Sequence, residues 1–319
     1  MYNEPLKSKA YDKLKEATLI YAERMYVKIG ELQNVYGLVT KEHFRNVPEG
    51  NWIPLDKNYV WGSEEWENLW VKGTFAYDKK YDGQNIYAVS HAGGIEQLFF
   101  VDGKPKGIFN IKGSTFTGGG HCVRRIGKNE NGKNWDLAFE CYTGHFCAGT
   151  SVYENYEYPD MEPWSYRQTY KGVDICIRDE IIHEFVFDMT QLSQAIEVAP
   201  ETNFLKYRAM KTLDKVLNVL ILDPKSTPYE IWHKSVEDSL AITREMFKGQ
   251  GNSVFGRLCL TGHSHMDTAW LWPASETMRK CARTYSNALA LMEEYPEYRF
   301  IQSSALHCEW MKDYYPSIF

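Results

Sequence analysis

The stretch Leu258-Cys259-Leu260-Thr261-Gly262-His263-Ser264-His265-Met266-Asp267-Thr268-Ala269-Trp270-Leu271-Trp272-Pro273 decides how the rest of this 319-residue chain is read. It opens with a short apolar run of the kind that forms a buried strand, and Gly262 leads out of it. Two histidines and an aspartate then follow at every second position. Successive side chains of an extended chain point to opposite faces, so the spacing predicts that His263, His265 and Asp267 face the same way. Imidazole nitrogen and carboxylate oxygen at the carboxyl end of a strand suit a divalent ion such as zinc. Taken alone, H-x-H-x-D fits a hydrogen-bonded strand end as well as it fits a metal site. Trp270 and Trp272 add flat apolar surface of the kind on which sugar rings pack.

The residues that follow narrow the choice. GHSHMDTAWLWP continues into Glu276-Thr277-Met278-Arg279-Lys280-Cys281-Ala282-Arg283-Thr284 and then Met292-Glu293-Glu294-Tyr295-Pro296-Glu297-Tyr298. Together these resemble the opening of the catalytic domain of glycoside hydrolase family 38, the α-mannosidases, and most of all its cytosolic and bacterial branch. The resemblance runs from about Leu258 to Pro316, and D-x-x-W-x-W-P is its most specific element. It implies that His265 and Asp267 bind a catalytic zinc ion, with cobalt as an alternative. It implies that Trp270 lines the pocket for the terminal mannose, and that His263 supports the ligands without touching the ion.

The resemblance further implies retaining hydrolysis of terminal α-D-mannosides in the breakdown of free oligosaccharides, by a two-carboxylate scheme with a covalent glycosyl intermediate. The family's other zinc ligands, its nucleophile and its acid/base carboxylate lie downstream of the opening motif. No catalytic residue is therefore expected within the chain; all are expected beyond Phe319. A complete (β/α) barrel takes about 250 residues, and Leu258 to Phe319 is about a quarter of that. The expectation is an N-terminal fragment, inactive alone.

Composition supplies the frame. Apolar residues make up 44% and aromatic residues 15%, enough for a sizeable core. A net charge of −6 without Lys/Arg-rich runs argues against a nucleic-acid or anionic-membrane surface. Neither an 18-residue apolar span nor the apolar core of a signal peptide is present. Seven cysteines, an odd number without a CxxC pair, read as reduced thiols, and the expected compartment is cytoplasmic. The expected partner is a mannose-containing oligosaccharide, with no nucleic acid and no membrane; a homo-oligomer of the complete protein stays open.

Working outward, the pattern predicts a multidomain α+β chain. An N-terminal helical segment is expected over 1–48, with a helix from about Tyr11 to Ile29 and a second helical stretch or loop leading to Pro48. A jelly-roll-like antiparallel β-sandwich is expected over 49–190. Its strands include a hairpin of Glu96–Val101 and Lys106–Asn110, then Trp135–Tyr142 and Ile181–Phe187. A helical connector over 191–253 leads to the incomplete start of a (β/α) barrel over 254–319. That last part holds a helix from Ala274 to Glu294, with Met278, Ala282, Tyr285, Leu289 and Met292 inward, and a second barrel strand at Arg299–Ser303.

Other features carry less. Trp52, Trp61, Trp66, Trp70 and Trp164 read as core before sugar contacts. His91, His121 and His145 lack ligand spacing. Gly118-Gly119-Gly120 precedes no lysine-serine pair and is not read as a phosphate loop. Ser304 is given no polar role, and His307 reads as a plain helix residue. Two rival functions remain: an amidohydrolase-type metal hydrolase, which also uses H-x-H at a strand end, and a non-catalytic carbohydrate-binding module. The D-x-x-W-x-W-P continuation speaks against the first.

Overall fold

The computed structural model describes residues 4–110, 122–144, 166–248, 259–270 and 272–319. His121, His145, Trp164, the glycine triplet 118–120 and the joint at 249–253 lie outside the described residues. The chain divides into two units, the first gathering residues 4–27 and 178–248, the second 28–110, 122–144, 166–177 and 259 onward.

The first unit is helical: α1 (Glu4–Ala22), α2 (Glu180–Val198), α3 (Phe204–Leu217) and α4 (Tyr229–Phe247). Leu14, Tyr21, Phe185, Met189, Val216, Val236 and Leu240 form its core. Caps set two of the helix starts. The Asp179 carboxylate accepts from Ile181 N and Ile182 N, both at 3.1 Å, and Asn203 accepts from Leu205 N at 2.8 Å. Residues 181–187, expected as a strand, are the first two turns of α2. Their β-branched and aromatic content suggests a strand, but the buried positions Ile182, Phe185, Val186, Met189 and Leu192 recur at helical spacing behind the Asp179 cap.

The second unit carries the sheets. Its strands are β1 (Tyr26–Glu31, whose first two residues belong to the first unit), β2 (Gln33–Thr40), β3 (Ile53–Pro54), β4 (Val60–Trp61), β5 (Asn68–Phe75), β6 (Asn85–Ser90) and β7 (Glu96–Val101). Then follow β8 (Lys104–Asn110), β9 (Val123–Lys128), β10 (Trp135–Tyr142), β11 (Gln168–Thr169) and β12 (Val173–Arg178). A four-stranded sheet has the order β1-β12-β6-β9, a six-stranded sheet β3-β2-β5-β10-β7-β8, and β4 pairs with β11. The predicted hairpin is β7–β8, with its second arm starting two residues earlier, at Lys104. Asp102 (φ 49°) and Gly103 (φ 76°) turn it in the left-handed conformation that a two-residue hairpin needs.

Two strands stand where helix or loop was expected: β1 begins at Tyr26, before the predicted helix end at Ile29, and β2 fills the approach to Pro48. Pairing overrides local propensity here, since Gly37, Leu38 and Val39 sit opposite Val71, Trp70 and Leu69 of β5.

The six-stranded sheet is covered on both faces, and strand alternation divides the labour. Leu69, Val71, Phe99, Leu137 and Phe139 point into a cluster shared with Ile86, Ala88, Ile126 and Ile175 of the other sheet. Their neighbours Trp70, Leu98, Phe100 and Ala138 point the other way, onto a helix, α5 (Ala274–Glu294), and onto Met311, Tyr315 and Ile318. Cover on both faces explains why β10 is buried at every position except Asp136. Trp61 and Trp70 are both core.

Flanking α5 are β13 (Gly262–His263) and β14 (Phe300–Ile301), which pair in parallel with Gly262 opposite Phe300 and His263 opposite Ile301. A last helix, α6 (Ala305–Tyr314), follows. The Ser304 side chain caps it, accepting from His307 N at 3.4 Å. Among the described residues no helix is long and apolar enough to cross a membrane.

Candidate functional site

The predicted motif leaves β13 after only two residues, and Gly262 N donates to Arg299 O at 2.7 Å to hold that end. From Ser264 onward the backbone is no longer a strand. Met266 nonetheless turns inward onto the apolar cluster beneath α5, while the histidine and aspartate on either side of it remain accessible. His265 Nε2 and Asp267 Oδ1 lie 3.2 Å apart, with side chains 83% and 43% exposed. His263 is exposed, and among the described residues no hydrogen bond or ion pair joins it to the other two. Trp270 is 70% exposed, its ring edge-on to Trp272 at 6.0 Å. The structure thus brings together two of the three residues that the spacing predicted.

The donor set suits a divalent ion. Two ligands bonded to one tetrahedral zinc at about 2.0–2.1 Å stand roughly 3.3 Å from each other. The nitrogen-oxygen separation of 3.2 Å matches that spacing. It also matches a hydrogen bond, the arrangement the pair adopts here. Among the described residues no group of three or more His, Cys, Asp or Glu is placed to hold a metal.

Thr277 and His307 stand behind the pair. Neither announced itself in the sequence. Thr277, on the first turn of α5, is buried; its hydroxyl donates to Thr268 O at 2.6 Å, lies 3.3 Å from Asp267 O and accepts from Trp272 Nε1 at 3.0 Å. His307 is only 2% exposed and stacks on Trp310. Gln302 Nε2 and Tyr285 Oη approach its Nδ1 at 3.0 and 3.4 Å, and Thr268 Oγ1 lies 3.2 Å from its Nε2. Gln302 Oε1 accepts from Ser303 N, so its Nε2 faces the ring as a donor and Nδ1 is the acceptor; the ring Nε2 then carries the proton and donates to Thr268. Burial pushes the His307 pKa below its usual value, in keeping with a neutral ring.

A buried ionic network fastens the helix that carries Thr277. Arg279 donates to Glu140 Oε1 of β10 at 2.7 Å, to Asn68 Oδ1 at 2.5 Å and to Glu276 Oε2 at 3.2 Å. Arg283 hydrogen-bonds Glu276, and its Nε faces Glu96 Oε2 of β7 at 2.9 Å as an ion pair without hydrogen-bond alignment. Lys280 also pairs with Glu96. Three cations thus meet three carboxylates. Burial alone would raise the Glu96 pKa, but Arg283 and Lys280 outweigh it and hold the carboxyl below its ordinary value. The same glutamates raise Arg283 against the opposing effect of its burial. The inward face of α5 was expected to be Met278, Ala282, Tyr285, Leu289 and Met292. Ala282 and Tyr285 are buried, but Leu289 is 40% exposed, because the buried face is turned toward the two arginines.

Known proteins match this chain, and a family model matches this segment. Residues 256–319 fit the family model described as glycosyl hydrolases family 38 N-terminal domain. The match covers the segment that carries the His265–Asp267 pair and about a fifth of the chain. The chain is 33% identical over 138 residues to human "Alpha-mannosidase 2C1", covering 43% of this chain and 12% of that protein. It is 24% identical over 257 residues to "Alpha-mannosidase" of Saccharomyces cerevisiae (strain ATCC 204508 / S288c), covering 80% of this chain and 23% of that one. The chain therefore spans less than a quarter of the length of either relative. Among solved structures, a β-glucuronidase from Ruminococcus gnavus aligns over 49% of this chain and 29% of its own, with 10% identity and a TM-score of 0.29, too low to bear on either shape or chemistry.

Proposed function

We propose that this chain is part of an α-mannosidase, a zinc-dependent retaining hydrolase of terminal α-D-mannosides that acts on free oligosaccharides in the cytoplasm. One observation carries the reading: the imidazole and carboxylate 3.2 Å apart lie inside the segment that matches family 38. The relatives' names supply the substrate class.

In this reading His265 offers a neutral imidazole nitrogen and Asp267 a carboxylate oxygen to the same ion. When bound, the ion supplies positive charge for holding and polarising sugar hydroxyls. The exposed face of Trp270 packs against the apolar face of the terminal sugar. His263 stands beside the pair without bonding either residue, and the reading gives it no contact with the ion. The remaining ligands, the nucleophile and the acid/base carboxylate are assigned to sequence outside this chain. Those groups make and break the glycosidic bond; the residues present here bind and orient. The 319-residue chain alone should accordingly bind zinc weakly and show no turnover, since a catalytic zinc site uses three or more protein ligands.

The test is release of mannose from an aryl α-mannoside by the complete gene product, with an aryl amide assayed in parallel. Mannose release with the amide untouched is the expected result. Amide cleavage without mannoside cleavage would overturn the proposal in favour of an amidohydrolase-type enzyme. Tight mannoside binding with neither reaction would point instead to a sugar-binding module.

A further inference from the structure

We propose that Thr277 is a positioning residue for the Asp267 ligand, and that it acts with His307 as a two-point clamp on Thr268, the residue that follows the aspartate. The inference rests on the metal reading above and adds to it the groups that preset the site. Asp267 sits on irregular backbone two residues beyond its nearest flanking ligand and four beyond the last strand residue, so no ladder of sheet hydrogen bonds fixes its direction. The carbonyl groups of Asp267 and Thr268 both face the Thr277 hydroxyl, at 3.3 and 2.6 Å.

A hydroxyl has one proton to give, and the shorter contact takes it. Its oxygen is in turn oriented by the Trp272 indole N–H at 3.0 Å. Indole, hydroxyl and carbonyl thus form a directed chain that leaves Thr277 no free rotation. On the other side His307 Nε2 holds the Thr268 hydroxyl at 3.2 Å, and its ring is fixed by Gln302, Tyr285 and the face of Trp310. One residue beyond the aspartate, backbone and side chain are therefore held from two separate helices, α5 and α6. The helix that carries Thr277 is itself pinned to the sheet by Arg279 and Arg283. Such rigidity favours metal binding because less freedom remains to be lost when the ligands engage. Removing groups that orient metal ligands typically weakens metal affinity by about 10–100-fold.

The experiment titrates the 319-residue chain with Co²⁺ and follows the His265 ring resonances by NMR. With two ligands the absolute affinity is low, so the ratio to wild type is the quantity of interest. Thr277→Val, which keeps shape and loses the hydroxyl, should weaken Co²⁺ binding by about tenfold or more. Thr277→Ser should restore it to within about threefold, which a merely space-filling role would not require. Thr268→Val, at an exposed position, removes the His307 contact alone and should weaken binding several-fold.

A folded Thr277→Val chain that binds Co²⁺ like wild type would overturn the clamp. Should Thr277→Val not fold, unchanged binding by Thr268→Val would overturn it instead. His265→Ala and Asp267→Ala separate this inference from the reading beneath it. If Asp267→Ala leaves the His265 response intact, or if His265→Ala leaves total Co²⁺ uptake unchanged, the metal site itself is refuted, whatever the Thr277 variants do.

Discussion

Replacing Arg279 with methionine should be among the most damaging single changes in the second unit. The guanidinium, 3% exposed, contacts Glu140, Asn68 and Glu276, and the Glu140 side chain is only 1% exposed. Methionine fills much of the same space but leaves Glu140 without its direct counterion and Asn68 without its donor. Removing one partner of a buried pair costs about 3–5 kcal/mol, because the other charge stays behind in a low dielectric. For a unit of roughly 150–250 residues each kcal/mol lowers Tm by about 2–4 °C, so the expected loss is about 6–20 °C.

A second substitution sharpens the test. Arg279→Met combined with Glu140→Leu removes the orphaned charge and leaves Arg283 and Lys280 balanced by Glu276 and Glu96. The double variant should be more stable than Arg279→Met alone by at least about 1 kcal/mol, since replacing a whole buried pair by apolar groups is often close to neutral. Scanning calorimetry on wild type, both single variants and the double variant supplies the cycle. A shift below about 2 °C for Arg279→Met, or strictly additive effects, would refute the view that this network holds α5 to the sheet.

The network also predicts a pH dependence. The folded state holds the Glu96 carboxyl below its ordinary value of 4.5, so its contribution is full above pH 4.5 and is lost as pH falls through the lowered folded value. Glu96→Gln should therefore flatten the acid limb of a Tm-against-pH curve, and an unaltered limb would count against the assignment. In the first unit, Asp179 caps α2 and also faces His233 Nε2 at 3.0 Å. Asp179→Ala should cost about 1–2 kcal/mol, read by urea unfolding followed through Trp232, and a loss under about 0.5 kcal/mol would contradict the capping role.

Regular elements with strong local signals were legible in the sequence. The bounds of α5, from Ala274 to Glu294, follow from its apolar period and from the prolines at 273 and 296. The β7–β8 hairpin follows from Asp102-Gly103, where a turn with positive φ at both positions favours this pair of residues. The approach of His265 to Asp267 follows from alternation about Met266, even though the backbone there is not a strand.

What escaped depends on partners far away in the chain. Arg279 and Arg283 look like surface residues of an amphipathic helix, and nothing local says that Glu140 and Glu96 will neutralise them in the interior. Gly37 and its neighbours become strand only because β5 lies alongside them. Residues 181–187 have strand composition, and the helical period becomes plain only when extended through Met189 and Leu192. Thr277 and His307 are ordinary helix residues until the fold sets them against Thr268, next to Asp267.

His265 and Asp267 are proposed to hold a metal ion in an α-mannosidase. The zinc content of the complete gene product, measured by elemental analysis beside turnover of an aryl α-mannoside, tests this. One zinc per chain is expected in the wild type, with loss of both zinc and turnover in Asp267→Asn and His265→Ala proteins that remain folded. A folded Asp267→Asn protein that keeps its zinc and its mannosidase activity would contradict it.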